Sequence, residues 1–235
     1  MSRMKQILNK LGNFLDHSKV FHILLLSISI LTLIGLMYLT YLLNEEVDLS
    51  NLDTELMKPT IIYDKDNEEA SKITANKMEG VAINEVPEHV IDAVLSIEDH
   101  RFYEHHGIDV KGIIRAAFEN LFAGGIVQGG STITQQLAKN TILTPEKTYE
   151  RKIKEVVIAG QIEQQYSKDE ILEMYLNQIY FGHGAWGIQN ASRVYFGKNV
   201  EDVTLAEAAM LAGLIHSPSA LDPYKNFESA KKRQG

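Results

Sequence analysis

The chain has 235 residues, enough for one sizeable domain with accessory segments, and a formal net charge of −8. It contains no cysteine, which excludes a disulfide framework and a thiol nucleophile. From residue 44 onward it carries 19 basic and 30 acidic residues, a net charge of −11. A domain with this charge is a poor general binder of nucleic acids.

The first predicted element is an apolar helix over residues 20–43, 24 residues without Asp, Glu, Lys or Arg. At ~1.5 Å per residue it exceeds the ~30 Å hydrocarbon core of a bilayer, which predicts a single transmembrane helix. A buried soluble helix is rarely apolar all round over this length, and a cleaved signal peptide would have a shorter apolar region. Residues 1–19 carry a net charge of +3, and acidic residues follow the span. The positive-inside rule therefore predicts a cytoplasmic tail over 1–19, and a domain on the outer side of the cytoplasmic membrane.

A polar linker is predicted over residues 44–59, followed by one domain over 60–235. The domain opens on two short runs, 60–64 and 70–74, around a turn rich in Asp and Asn, which predicts a small β-hairpin. Beyond Pro87 the pattern is almost wholly helical, so the fold class is predicted to be mainly α.

Helix ends in the domain carry recognisable signals. Asp109 is predicted to cap a helix that two glycines end at residues 124 and 125. Capping boxes are predicted at the starts of three further helices, at Thr132 with Gln135, Ser167 with Glu170, and Thr204 with Glu207.

The stretch EDHRFYEHHG begins with Glu98, which shares the helical stripe of three apolar residues, Ile91, Val94 and Leu95. A carboxylate on an apolar face is partly desolvated, and desolvation raises the pKa of a carboxyl group toward the range that suits proton transfer near neutral pH. The alternative is that Glu98 ends the helix and pairs with Arg101.

Two later stretches suggest an anion site. In QGGSTITQQLAKN, a helix start follows two glycines, where free N–H groups and the helix dipole attract anions. In KTYERKIKE, a helix predicted to begin at residues 144 and 145 carries Lys147, Arg151 and Glu155 along one face. Five basic residues thus form a patch in an acidic domain: Lys139, Lys147, Arg151, Lys152 and Lys154. The patch is either a solvated helix face with an Arg151–Glu155 pair or a site for a polyanion such as a pyrophosphate.

The block KDEILEMYLNQIYFG reads as a core helix, with Asn177 and Gln178 expected toward a cleft. Together with EDHRFYEHHG, GGSTITQQ and RKIKE, in this order, the block resembles the successive motifs of the peptidoglycan glycosyltransferases, glycosyltransferase family 51. The segment LAEAAMLAGLIHSPSALDP resembles the family's last motif, so the likeness covers roughly residues 55–225.

The resemblance implies a lysozyme-like fold with two lobes around a long cleft. It also implies an enzyme that polymerises lipid II, a disaccharide-pentapeptide on undecaprenyl pyrophosphate, into glycan strands at the membrane, with inversion. The implied partners are lipid II, the nascent glycan, the lipid bilayer and other cell-wall synthesis or division proteins. No organic cofactor is implied.

By the same resemblance, Glu98 is the general base that takes the proton of the acceptor 4-hydroxyl. Glu155 is the second catalytic acid, which orients Arg151 or Lys152 or holds a divalent cation, Mg²⁺ or Mn²⁺. The donor and its pyrophosphate are bound by Gln128, Ser131, Thr132, Gln135, Gln136, Lys139, Lys147, Arg151 and Lys152. The loop that presents Glu98 is held by Asp99, Phe102 and His105.

Two rival functions are a lysozyme-like lytic enzyme and a non-catalytic, membrane-anchored cell-wall scaffold. A lytic enzyme acts on a neutral polymer and needs no cation cluster, which disfavours it. We expect the C-terminal end to be truncated. A transpeptidase domain follows this region in class A penicillin-binding proteins, whereas monofunctional members end after a further short helix, and the sequence leaves both open.

Overall fold

The structure is a computed structural model that describes residues 2–43, 49, 52, 60–63, 69–73, 80–125, 129–143 and 148–234. Within these, only the backbone is described for residues 2–18, 39, 43, 60–63 and 69–73. The chain divides into two compact units, Met1–Val47 and Asp48–Gly235.

The described part of the first unit is one helix, α1 (Ser2–Leu43), of 42 residues. Its segment Lys19–Leu42 has a mean hydropathy of 2.4 and is long and apolar enough to cross a membrane. Four hydroxyls in this segment donate to carbonyls one turn back, which satisfies them without water: Ser27, Ser29, Thr32 and Thr40. The helix begins at Ser2, so it also runs through the predicted tail.

Two short strands open the described part of the second unit. β1 (Thr60–Tyr63) pairs antiparallel with β2 (Glu69–Ile73), with Thr60 opposite Ile73 and an irregularity between Ile62 and Tyr63. The turn that would join them into the predicted hairpin, residues 64–68, lies outside the described residues. So does the predicted linker, apart from Leu49 and Leu52, and both remain predictions.

The described part of the second unit is otherwise mainly helical, which confirms the coarse fold class. Its helices are α2 (Glu88–Glu98), α3 (Val110–Ala123), α4 (Ile133–Thr141), α5 (Tyr149–Gln165), α6 (Lys168–Gln178), α7 (Ile188–Phe196), α8 (Leu205–Ile215) and α9 (Phe227–Gln234). Helix α4 packs against α5 and α6, while α2 packs against α8, and α8 against α9. The apolar face of α6 is fully buried through Ile171, Leu172, Tyr175 and Leu176, as the sequence predicts.

The predicted helix caps are present. Asp109 accepts a hydrogen bond from the Gly112 amide, and Gly124 ends α3 in the left-handed region at φ 68°. The capping boxes of α4, α6 and α8 form as predicted. Helix α5 differs, because Thr148 caps it and it begins at Tyr149. The start predicted at residues 144 and 145 lies outside the described residues.

Candidate functional site

Glu98 is the last residue of α2, and its side chain is half-buried. The fully buried residues of α2 are Val90 and Val94, while Ile91 and Leu95 are only half-buried. The buried stripe therefore starts one residue earlier than the sequence suggests, and Glu98 still follows Val94 by one turn. Burial is the main cause that raises the pKa of Glu98 above its usual range.

Glu98 does not depend on Arg101 for its charge balance. The Arg101 guanidinium forms its ion pair with Asp109, the cap of α3. The carboxylate of Glu98 instead accepts a hydrogen bond of 2.8 Å from Gln136 Nε2 on α4. This bond lowers the pKa of Glu98 and offsets part of the rise that burial causes.

Glu98 lines a cleft of about 750 Å³. Helices α2, α4 and α5, the segment between α6 and α7, and the region of α8 and α9 all contribute to its walls. The polar and aromatic side chains around it include Ser131, Gln135, Gln136, Lys139, Glu155, Tyr180, Trp186, His216 and Arg233.

The N-terminus of α4 already holds an anion, which is the carboxylate of Asp99. The Ile133 amide donates to Asp99 Oδ2 at 3.1 Å, and the Thr132 amide donates to Gln135 Oε1 at 3.0 Å. Thr132 and Gln135 are 1% and 2% exposed, and of the two only Gln135 lines the main cleft. The first-turn amides of Ile133 and of Gln135, which donates to Thr132 Oγ1, are thus taken by the protein's own side chains and are not offered to a bound anion.

The loop after α2 is held by a buried group of side chains. His105 Nε2 lies 3.0 Å from both carboxylate oxygens of Asp99. Phe102 is 1% exposed, packs edge-on to His105, and lies under the Lys168 ammonium at 4.3 Å from the ring centroid. This group fixes the chain directly after Glu98.

Gly107 closes the same loop against α5. Its φ is +80°, and an added Cβ would lie 3.1 Å from the backbone of Ala159. Only glycine fits both the left-handed backbone and this close approach.

Glu155 is the centre of a charged cluster on α5. It is 2% exposed, forms an ion pair with Arg151, and accepts a hydrogen bond of 2.7 Å from Lys152 Nζ. Lys152 also donates to Ser131 Oγ at 2.9 Å, which ties α5 to the segment before α4. Burial, then the nearby charges of Arg151 and Lys139, lower the pKa of Lys152. Arg151 and Lys152 are thus gathered around Glu155, which lines the cleft together with Lys139.

Two predicted site residues, Gln128 and Lys147, lie outside the described residues. Asn177 and Gln178, predicted to face a cleft, do not line this one. Asn177 exchanges hydrogen bonds of 3.0 and 2.9 Å with the backbone of Val81, and Gln178 is 9% exposed.

The residues around Glu155 do not suit a divalent cation. Its two oxygens already face Arg151 and Lys152. In the part of the chain that the structure describes, no three His, Asp or Glu side chains cluster as metal ligands do. We therefore derive no step through a metal ion.

Sequence reasoning missed four residues that line the cleft: Tyr180, Trp186, His216 and Arg233. Tyr180 and Trp186 have ring centroids 4.7 Å apart, and Trp186 is 46% exposed. His216 and Arg233 lie near enough to lower the pKa of Glu98, after the hydrogen bond from Gln136. Arg233 ends the basic run of residues 231–233, and no motif in the sequence connects this run with the cleft.

Chemically, a cleft lined by a desolvated carboxylate and by Lys139, with further cations gathered around Glu155, suits a group-transfer enzyme with an anionic leaving group. The family model described as "Transglycosylase" matches residues 66–235. The chain belongs to this transglycosylase family, which confirms the resemblance that its motifs suggest.

Proteins similar to this chain carry penicillin-binding protein names. Penicillin-binding protein 1F of Bacillus subtilis is 47% identical over 90% of this chain and 29% of its own length. Penicillin-binding protein 1A of Neisseria gonorrhoeae is 51% identical over 75% of this chain and 22% of its own length. The chain thus spans less than a third of these relatives. A crystal structure of penicillin-binding protein 1A from Haemophilus influenzae matches with a TM-score of 0.38 and 22% identity over 77% of this chain and 17% of that one, too weak a likeness to define the fold.

Proposed function

We propose that this chain is a peptidoglycan glycosyltransferase that polymerises lipid II, with Glu98 as the general base. The carboxylate takes the proton from the 4-hydroxyl of the acceptor sugar while that oxygen attacks the anomeric carbon of the donor. The bond from this carbon to the lipid pyrophosphate breaks with inversion. The observation that carries the proposal is the placement of Glu98: its carboxylate accepts a hydrogen bond from Gln136 and lines the same cleft as Lys139 and Glu155. Burial raises the pKa of this carboxylate, which suits a general base.

Lys139 and the cations around Glu155 support departure of the pyrophosphate. The leaving group carries at least two negative charges, whereas the chain from residue 44 onward has a net charge of −11 and would repel it. Lys139 lines the cleft, and Arg151 and Lys152 are held beside it by Glu155. We propose that Glu155 positions these cations rather than binding a metal. Ser131, Gln135 and Gln136 complete the donor side.

The support residues and the wider fold belong to the same proposal. Asp99, Phe102 and His105 keep Glu98 in place through the buried contacts of the loop after α2. The fold that we propose with this function is a lysozyme-like arrangement of two lobes with a small hairpin. Helix α1 then anchors the chain in the cytoplasmic membrane, with its N-terminus inside and the catalytic unit outside.

Helix α3 supports action at a membrane surface. It buries Gly112 and Ala116 but leaves large apolar side chains in solvent, with Leu121 75% and Phe122 85% exposed. Exposed apolar patches of this kind mark membrane or protein contacts. Because the donor is a membrane lipid, we propose that this face of α3 contacts the bilayer.

The experiment is an activity assay on the full chain in detergent, with lipid II and, separately, with finished glycan strands. The proposal predicts glycan polymer and free undecaprenyl pyrophosphate from lipid II. A lytic enzyme would cleave finished strands and leave lipid II intact, and a scaffold would leave both unchanged. Either of those results contradicts the proposal.

A further inference from the structure

A chain of two hydrogen bonds leads from the core to Glu98. Tyr175 on α6 donates its hydroxyl to Gln136 Oε1 on α4 at 3.2 Å. Gln136 Nε2 donates to Glu98 Oε2 at 2.8 Å. Three helices, α6, α4 and α2, are thereby joined at the candidate base.

The orientation of the Gln136 amide matters for the base. An amide has an oxygen that accepts and a nitrogen that donates, and a half-turn about the last side-chain bond exchanges them. With the nitrogen toward Glu98 the amide stabilises the carboxylate, whereas with the oxygen toward it the two would repel. A donor placed at the amide oxygen selects the first orientation, and the Tyr175 hydroxyl is placed there.

Tyr175 is suited to remain a donor. It is 1% exposed, so its ring is fixed by the core packing of α6. Burial, then the negative charges of Glu98 and Asp99, raise the pKa of its hydroxyl well above the usual range. The hydroxyl therefore keeps its proton throughout the pH range in which a glutamate base operates.

We propose that Tyr175 and Gln136 are positioning residues, and that Tyr175 acts on the reaction only through the orientation of the Gln136 amide at Glu98. This inference rests on the proposed function, because it assigns residues that serve the base of that reaction. It gives Tyr175, the first residue of YLNQIYFG, a function beyond core packing.

The first test is Tyr175→Phe, compared with wild type in lipid II turnover and in the pH dependence of kcat/KM. Turnover should fall about tenfold, the scale of one hydrogen bond to a charged group. The acid limb of kcat/KM should move to higher pH, because Glu98 loses a donor that lowers its pKa. The other charges that face Glu98 are unchanged in this variant: His216 after α8, Arg233 on α9 and Asp99 after α2.

Tyr195→Phe is the matched control, because it removes a tyrosine hydroxyl that donates at 2.9 Å to the Phe181 carbonyl, and Tyr195 does not line the cleft. It should leave both readouts unchanged. A structural role alone would lower the melting temperature of Tyr175→Phe without moving the acid limb.

The second test is a double-mutant cycle with Gln136→Met. If Tyr175 acts only through Gln136, adding Tyr175→Phe to Gln136→Met should cause no further loss of turnover. The inference would be overturned if the turnover losses of Tyr175→Phe and Gln136→Met multiplied in the double variant. It would also be overturned if Tyr175→Phe kept the wild-type kcat and the wild-type acid limb of kcat/KM. Absence of turnover in the wild type would instead overturn the proposed function, so the two failures are distinguishable.

A third measurement covers the case in which Tyr175→Phe does not fold. In the wild-type chain, labelled with ¹⁵N at glutamine, the side-chain NH₂ signals of Gln136 should exchange slowly with water and shift as Glu98 titrates. Fast exchange and no response to this titration would show a freely rotating amide and overturn the inference.

Discussion

Arg151 is the residue at which a structural and a catalytic role separate most clearly. Its guanidinium forms an ion pair with Glu155, a carboxylate that is 2% exposed. A purely structural pair would affect folding alone, whereas a cation that stabilises the leaving pyrophosphate also affects turnover.

We expect Arg151→Ala to reduce lipid II turnover by ~10²-fold, the scale of one lost electrostatic contact in a water-poor site. It should also lower the free energy of unfolding by about 1–3 kcal/mol, because buried Glu155 loses one of its partners. Arg151→Lys should be intermediate, since it keeps the charge but not the planar fork. Turnover and denaturant unfolding are measured together.

Lys154→Ala is the control for Arg151→Ala. Lys154 lies on the same helix and pairs with Glu150 at 3.4 Å, where Glu150 is exposed. Loss of such a surface pair should cost less than ~1 kcal/mol and leave turnover unchanged. If Arg151→Ala lowers stability while turnover stays at the wild-type level, the pyrophosphate must bind elsewhere.

At the scale of one element, α3 exposes large apolar side chains to solvent, among them Leu121 and Phe122. Leu121→Ser with Phe122→Ser should reduce turnover of lipid II in bilayers by at least ~10-fold, because each side chain gives up ~1.5–3 kcal/mol of burial in lipid. Turnover of a water-soluble, short-chain lipid II analogue should not change. Stability should change little, since both side chains are exposed.

Leu205→Ser serves as the control for the α3 variant. Leu205 is 69% exposed at the start of α8 and does not line the cleft. Equal losses with the membrane-bound and the soluble substrate would contradict the proposed contact between α3 and the bilayer.

The caps and stripes of individual helices could be predicted because their signals are local. Asp109 with Gly112, and Thr132 with Gln135, lie within one turn of each other, so sequence spacing alone brings them together. The same local reasoning located Glu98 on a stripe that the structure displaces by one residue.

Contacts between distant parts of the chain could not be predicted in this way. Asp99 reaches the first turn of α4, 34 positions later, and so takes the place of the expected bound anion. Tyr175 meets Gln136 across 39 positions, and Arg233 comes to the cleft from α9. Such contacts depend on how the helices pack against one another, and the periodicity within a single helix carries no information about that packing.

For the molecule as a whole, the distribution of charge predicts how it crosses the membrane. The chain has no native cysteine, so single cysteines report accessibility without background. In intact, wall-stripped cells we expect a membrane-impermeant maleimide to label Glu201→Cys but not Ser2→Cys, and to label Ser2→Cys after lysis. Glu201 is exposed in the second unit. Labelling of only Ser2→Cys in intact cells would reverse the orientation.

The pKa of Glu98 links activity and stability. Because burial raises this pKa, the rate should fall as the pH drops through a value above 4.5, the ordinary value for glutamate. Protonated Glu98 holds its carboxyl proton more tightly in the folded state than in the unfolded state, because its folded-state pKa is the higher of the two. Stability therefore decreases as the pH rises from the unfolded to the folded pKa, and ionised Glu98 destabilises the fold at neutral pH.

The most direct test of the account is Glu98→Gln, with Glu88→Gln at the exposed start of the same helix as its control. The variant keeps the size of the side chain but cannot accept the proton, so lipid II turnover should fall by at least ~10²-fold. Its melting temperature at neutral pH should equal or exceed that of the wild type, because the buried charge is gone. A folded Glu98→Gln chain that polymerises lipid II at nearly the wild-type rate would contradict the assignment of Glu98 as the base.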